Sequence, residues 1–213
     1  MLTIHHLGKS QSERILWLCE ELGVPYALKR YQRDAVTQLA PPELRALHPL
    51  GAAPVISDGD VLLAESGAIV EYVIAKYGQG RLALPVGHPA FADYLYWFHF
   101  SNANLQATLG RSMTVGRLDL PADHPVRVNT EFRLKRVLDF VEARLERVEF
   151  LAGSEFTAAD IMVVFSLSTM GAFYPLDLSG YSAIRGYLRR MVLREGYLRA
   201  MAKGDPGMVP MVP

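Results

Sequence analysis

Two short groups of residues in this chain have the types and spacing to recognise a charged small molecule. The first is Ala53-Pro54, where a proline stands at the mouth of the apolar run "PVIS"; the second is Glu65-Ser66, an acid beside a hydroxyl where a helical pattern begins. Proline lacks the N–H that a central strand needs, so it is tolerated at a strand's first residue, and an X-Pro bond is the one place where a cis peptide is cheap. A cis Ala53-Pro54 bond would point the N–H and C=O of Ala53 out of the sheet, leaving a strand-like edge for another peptide to pair with. At a helix N-terminus, unpaired N–H groups and the positive dipole end favour a carboxylate; the Ser66 hydroxyl adds a donor, and Glu65 can hold an ammonium. Together these residues describe a receptor for something with a peptide backbone, a carboxylate and an amine. Alone, Glu65 would merely complement the dipole and Ser66 merely cap the helix. Their co-occurrence with Pro54 and a following hairpin favours the receptor.

The elements that must position these groups are readable from periodicity. "LTIHHL" is a short strand; "SQSERILWLCEELG" follows with Ile15, Leu18, Cys19 and Leu22 on one helical face and Gly23 as its stop. "YALKRY" is a second strand, parallel to the first after a crossover helix. "PVIS" and "DVLLA" form a hairpin in which Asp58-Gly59 supplies the positive φ angles, and "ESGAIVEYVIAKYG" closes the unit with Ile69, Val70, Val73 and Tyr77 on one face. The Gly- and Pro-rich join "GQGRLALPVGHPA" marks a boundary near residue 80, and everything beyond is helical. "FADYLYWFHFSNANLQATLGRSM" reads as one aromatic-rich helix, and Pro125 opens another carrying Leu134, Leu138, Val141, Leu145 and Val148. "FTAAD" is a helix start, with Thr157 as N-cap, Asp160 as its capping-box partner and Phe156 placed to staple against Ile161. The expected domains are 1–80 and 88–213.

Bulk properties narrow the partners. The 213 residues are 50% hydrophobic, and Lys plus Arg and Asp plus Glu both number 22, so no net charge steers the chain onto nucleic acid or anionic lipid. The basic residues Arg185, Arg189, Arg190, Arg194, Arg199 and Lys203 read as a solvated helix face. The uncharged stretch Ile161 to Leu176 is broken by polar residues and too short to span a bilayer, so it reads as a buried core helix. The start has no export signal, and the single cysteine, Cys19, allows no internal disulfide and no C-x-x-C motif, which fits a cytoplasmic location. Cys19 lies in an apolar stripe and reads as packing. His5, His6 and His48 lack metal-ligand spacing, so no metal is expected.

At this point the sequence resembles the glutathione S-transferases, specifically their bacterial and fungal serine-type group. The resemblance rests on "SQSERILWLCEELGVPY", "APPELRALHPLGAAPVI", "ESGAIVEY" and "FTAADI", and it covers essentially the whole chain. It implies a thioredoxin-like N-terminal domain followed by an all-helical one, a homodimer, and glutathione as co-substrate. Glu65 and Ser66 would bind the γ-glutamyl end of glutathione, and Ala53 would pair with the cysteinyl backbone beside cis Pro54.

Glutathione chemistry needs the thiolate, and a free thiol of pKa about 8.5 is only a few per cent ionised at pH 7. A hydrogen bond to the charged sulfur, worth roughly 1.5–3 kcal/mol, lowers that pKa by about one to two units. The donor should sit at the N-terminus of the first helix, where Ser10 and Ser12 both lie. Serine-type relatives carry their hydroxyl four residues before an arginine, as Ser10 precedes Arg14, so Ser10 is the first choice and Ser12 the second. The competing reading makes Ser10 and Glu13 a capping box, with no role for a ligand. Two departures weaken the expected glutathione contacts. Ala52 stands where relatives often carry a basic residue for the glycine carboxylate, leaving Gln38 as a substitute, and "FSNANL" lacks an acidic partner for the amine, leaving Asn102 or Asn104. The electrophile should be small and apolar, met by some of Tyr94, Trp97, Phe98, Met113, Phe165, Met170, Phe173 and Tyr174, and the tail "PGMVPMVP" either folds over that pocket or hangs free. A glutathione-dependent disulfide or peroxide reductase and a non-catalytic binding protein of the same fold are the rivals.

Overall fold

A computed structural model describes residues 1–209 and divides them into two compact units: Met1–Leu84 together with the chain from Met191 onward, and Pro85–Arg190. In the first unit the order is β1 (Leu2–Leu7), α1 (Glu13–Leu22), β2 (Ala27–Tyr31), α2 (Pro42–Arg45), β3 (Val55–Asp58), β4 (Val61–Ala64) and α3 (Ser66–Lys76). They form a four-stranded sheet in the order β2-β1-β3-β4, with β1 and β2 parallel and the other neighbours antiparallel. The parallel pair follows from the α1 crossover, since a two-residue turn cannot join parallel strands. α1 stops at Gly23, whose φ of 67° is the left-handed conformation that a residue without Cβ adopts freely. His5 is spent on the sheet itself: its ring nitrogens lie 3.0 Å from the Tyr31 hydroxyl and 3.1 Å from Ser57 Oγ, tying β1 to both neighbours.

The hairpin turns one residue later than its sequence suggests. Asp58 pairs with Val61 as the last strand residue, so the loop is Gly59-Asp60 and only Gly59 takes a positive φ, 61°. The Asp58 carboxylate is held from α3 and its C-cap, accepting from Lys76 Nζ at 2.7 Å, Tyr77 at 2.5 Å and Tyr72 at 2.9 Å.

The last helix, α9 (Glu195–Gly204), packs on α1, and the two approach closely because glycine faces the contact. A Cβ on Gly196 would fall 2.7 Å from the Glu21 side chain, and one on Gly204 would fall 2.6 Å from Leu16. Trp17 meets Tyr197 edge-on, with ring centroids 5.1 Å apart. Half of the expected solvated basic face is therefore a seam: Arg194 pairs with Glu21, and Arg199 and Lys203 with Glu20. The two glutamates on α1 are what local sequence could not connect to it.

The second unit is helical: α4 (Phe91–Phe100), α5 (Ala107–Gly116), α6 (Pro125–Leu145), α7 (Ala158–Leu167) and α8 (Ser182–Val192), the last running on into the first unit. The expected single helix over 91–113 is interrupted, since Ser101–Gln106 widens into a π-helix where Ser101 Oγ donates to the Met162 carbonyl of α7 at 2.6 Å. α7 opens as its motif requires, with both halves of the Thr157–Asp160 capping box formed. Phe156 lies against the Phe150 ring, centroids 5.9 Å apart. The expected buried helix ends at Leu167 and gives way to a 3-10 turn at Thr169–Ala172. Among the described residues no helix is long and apolar enough to cross a membrane. Of the "PGMVPMVP" tail, residues 210–213 lie outside the described residues.

Candidate functional site

The first unit gathers Ala53, Pro54, Glu65 and Ser66 around one cavity of about 100 Å³, with Gln11, His48 and Ala52 completing its polar and open sides. The Ala53-Pro54 bond is cis, and Ala53 lies just outside the ladder, which begins where Val55 pairs with His5 and Ala64. Glu65 occupies the N-cap position of α3 at φ 70°, ψ 112°, an unfavourable region for a residue with a Cβ. Such a conformation costs on the order of 1–3 kcal/mol and persists where the surroundings over-determine it. It leaves the Glu65 side chain exposed at the cavity wall while Ser66, behind it, is buried.

Ser66 is held by α1. Arg14 Nη1 donates to Ser66 Oγ at 3.0 Å and to Gln11 Oε1 at 2.8 Å, and Ser66 Oγ donates to Gln11 Oε1 at 3.3 Å. Arg14 is fully buried, which presses its pKa down to about 9 against the pull of neighbouring Glu13, so the guanidinium stays charged at neutral pH. With the hydroxyl hydrogen turned to Gln11, a carboxylate arriving here draws first on the backbone N–H groups of the first turn of α3 and on the positive charge of Arg14 behind them.

The two serines of the β1–α1 connection lie side by side, their Oγ atoms 2.7 Å apart. Ser12 is the N-cap of α1, yet its side chain makes no capping bond; Oγ instead accepts from the Leu7 N–H at 3.2 Å and lies 2.9 Å from His6 Nδ1. Ser10 Oγ accepts from the Ser12 N–H at 3.2 Å, and the Glu13 N–H goes to the Ser10 carbonyl, so the Ser10 side chain is not aimed along a capping box. Ser10 retains 7% exposure and Ser12 none. Neither serine lines the 100 Å³ cavity, although Gln11 between them does. Gln38 does not line it either: its Nε2 donates to the Ala35 carbonyl at 3.1 Å.

Gln11 and His48 carry no local sequence signal that marks them as site residues. Gln11 owes its place to the burial of Arg14, a tertiary fact, and His48 to the turn that folds the segment after α2 back over the cavity. Its Nδ1 accepts from the Leu50 N–H at 3.3 Å, which puts the ring hydrogen on Nε2 as a donor. Cys19 is fully buried, and burial first, then the charge of Glu20, pushes its thiol up to about 12. In the second unit Tyr94, Trp97, Phe98 and Phe165 are core. Tyr174 lines a separate cavity of about 320 Å³ with Ser112, Thr130 and Leu134.

Comparison with known proteins agrees with this geometry. Residues 3–75, which hold the sheet and the cavity, match the glutathione S-transferase N-terminal domain, and residues 111–195 match the glutathione S-transferase C-terminal domain. The chain is 33% identical to "Glutathione S-transferase 3" of Schizosaccharomyces pombe, over 89% of this chain and 82% of that one. It is 26% identical to "Glutathione S-transferase 1" of Saccharomyces cerevisiae, over 95% of each. A crystal structure of a glutathione S-transferase from Actinobacillus pleuropneumoniae is similar with a TM-score of 0.87 and 33% identity, covering 96% of this chain and 93% of that one. A glutathione transferase from Phanerochaete chrysosporium, solved with oxidized glutathione, shares the fold at a TM-score of 0.75 and 23% identity, covering 95% of this chain and 94% of that one. With both domain families matched in order along the chain and the cavity built on the first of them, the chain belongs to the glutathione S-transferase family.

Proposed function

We propose that the protein conjugates the thiolate of glutathione to small apolar electrophiles, with Ser10 as the hydroxyl that keeps the sulfur anionic. The observation that carries this reading is the clustering of cis Ala53-Pro54 with Glu65 and Ser66 at the head of α3, beside the serine end of α1. Glutathione presents the matching groups: a γ-glutamyl carboxylate for the α3 N-terminus, an ammonium for Glu65, and a cysteinyl backbone for Ala53. For the glycine carboxylate, His48 is the better candidate than Gln38, because its Nε2–H is a donor at the cavity wall whereas the Gln38 amide is turned to Ala35. The dipole of α1 and the Ser10 hydroxyl then favour the thiolate over the thiol. The protein acts without a metal, as a homodimer in the cytoplasm. A mixed-disulfide reductase needs a low-pKa thiol, and Cys19, buried and held near 12, is unsuited to that role.

Ser10→Ala tests the assignment. Loss of a hydrogen bond to a charged sulfur lowers the aryl halide conjugation rate by roughly ten- to a hundredfold while glutathione affinity by calorimetry stays within about twofold. Wild-type turnover in that variant would remove Ser10 from the role. Parallel assays of disulfide and peroxide reduction separate the transferase from a reductase, and tight glutathione binding with none of the three activities would point to a binding protein.

A further inference from the structure

Behind Ser10 runs an unbroken line of hydrogen-bonded side chains. Ser10 Oγ is 2.7 Å from Ser12 Oγ, Ser12 Oγ is 2.9 Å from His6 Nδ1, and His6 Nε2 is 3.1 Å from Asp205 Oδ2. All three are buried, and Ser10, at 7% exposure the least enclosed of them, is the end of the line next to Gln11 of the cavity wall. Two glycines let the distant end close up. A Cβ on Gly204 would lie 3.0 Å from His6 Nε2, and one on Gly8 would lie 3.0 Å from Asp205 Oδ1.

The hydrogens along the line can be assigned. Asp205 accepts from the Lys9 N–H at 3.2 Å to each oxygen and from His6; burial raises its pKa, but these bonds outweigh it and the carboxyl titrates below its ordinary range. An ionised carboxylate only accepts, so His6 carries its hydrogen on Nε2 and, when neutral, offers the Nδ1 lone pair to Ser12. The single Ser12 hydrogen goes to Nδ1 in preference to the Leu7 carbonyl at 3.4 Å, and the 2.7 Å contact is then Ser10 donating to Ser12. All hydrogens point inward, and Ser10 presents a lone pair to whatever lies against it.

We propose that Ser10, Ser12, His6 and Asp205 form a proton relay in which His6 takes up the thiol proton of glutathione through the two serine hydroxyls. The proposal rests on the transferase reading above. The S–H bond breaks and its proton passes to Ser10 Oγ; the Ser10 hydrogen passes to Ser12 Oγ, and the Ser12 hydrogen to His6 Nδ1. Each oxygen ends with one hydrogen, sulfur keeps the electron pair, and the imidazolium is paired with Asp205. All hydrogens now point outward, so the same hydroxyl that received the proton donates to the thiolate. Ser12, His6 and Asp205 act through Ser10 and are positioning residues. The charged groups around His6 are Asp205 from the end of α9, Lys9 and Arg33, which act on Asp205 from the β1–α1 connection and the segment after β2, and Arg30, in register with His6 on β2 and exposed. Asp205 is the one anion among these groups, and it is the one bonded to His6, at 3.1 Å.

A purely structural tie between β1 and α9 would leave proton bookkeeping untouched, so the test counts protons. Thiolate formed on the wild-type enzyme is read by its ultraviolet absorbance, and protons released are read by calorimetry in buffers of different ionisation enthalpy. The relay predicts thiolate with well under one proton released per thiolate at neutral pH. In His6→Asn, which keeps an acceptor for Ser12 but no base, and in Asp205→Asn, whose amide donates to Nε2 and turns the hydrogen onto Nδ1, the pKa of the bound thiol rises by about one unit, a tenfold lower thiolate-to-thiol ratio at a given pH. Glutathione affinity in both variants stays within about twofold of wild type. Wild-type enzyme that forms thiolate while releasing a full proton to buffer overturns the relay alone, whether or not the variants fold. Titration curves that superimpose on wild type in the variants do the same. Wild-type enzyme that takes up no glutathione brings down the relay and the transferase reading together.

Discussion

Arg14 and Gln11 show how much of the site is decided by single buried side chains. The guanidinium reaches from α1 to Ser66 at the head of α3, and Gln11 accepts from both, so the α3 side of the cavity depends on a buried polar cluster anchored in α1. Gln11→Ala removes the acceptor shared by Arg14 and Ser66. Leaving buried donors short of a partner costs about 1–3 kcal/mol, and we expect that loss as a lower urea midpoint at unchanged slope, with weaker glutathione binding by calorimetry. Unchanged values of both would mean that water or a neighbour replaces the amide. At this scale the contiguous pairs Ala53-Pro54 and Glu65-Ser66 are legible in the sequence, because proline chemistry and helix-terminus chemistry are local. Gln11 and His48 are not, because each matters only once distant segments have folded against it. Ser12 is a case of tertiary structure overriding a local preference: a serine at an N-cap normally accepts from its own helix, but here its Oγ accepts from the Leu7 N–H of β1 and lies 2.9 Å from His6 Nδ1.

Elements are held by a few carboxylates, and two of these give measurable predictions. Asp160 at the start of α7 accepts from the Leu151 and Thr157 N–H groups at 2.9 Å each and from the Tyr187 hydroxyl at 3.0 Å. Asp160→Ala strands these donors, and the Thr157 hydroxyl at 3.3 Å, in the core, and a loss of about 3 kcal/mol or more is expected in chemical denaturation, whereas Asp160→Asn, which keeps one acceptor oxygen, loses less. Asp58 ties β3 to α3 and, through Lys76 first, then Tyr77 and Tyr72, is drawn from its ordinary 3.8 down to about 2. A carboxyl depressed in the folded state adds stability above its unfolded pKa and loses it as pH falls toward the folded value. Between pH 3.8 and about 2 the wild type should therefore lose stability more steeply than Asp58→Asn. Parallel acid limbs for the two proteins would show that the Asp58 clamp carries no net stability. The start of α7 is written in the sequence as a Thr-x-x-Asp box, and the β-α-β and hairpin order as alternating periods. The π-helix at Ser101–Gln106 is not: it starts where buried Ser101 bonds to α7, and no composition of "SNANLQ" announces that partner.

At the scale of the whole molecule, the chain does not finish its first unit until after residue 191. A boundary near 80 is what composition suggests, because α9 has the pattern of any amphipathic helix and nothing local names its partner. Its buried residues Tyr197, Ala200 and Met201 make the apolar face of α9, Tyr197 meeting Trp17, while Arg194, Arg199 and Lys203 neutralise Glu20 and Glu21. Each large apolar side chain so buried is worth about 1.5–3 kcal/mol, a substantial part of the 5–15 kcal/mol that holds a typical domain together. Asp205, at the end of the same helix, also supplies the partner of His6. Residues 1–84 alone should therefore lack a cooperative unfolding transition and bind no glutathione, although the cavity residues all lie within them. Trp17 is the only tryptophan in that fragment, so its fluorescence reports the uncovered α1 directly, red-shifted relative to the buried indole of the whole protein. Adding residues 191–209 as a peptide should restore a blue-shifted Trp17 and a sigmoidal urea curve. A fragment of residues 1–84 that unfolds cooperatively and binds glutathione as the whole chain does would show that α9 is a cover and not a component of the unit.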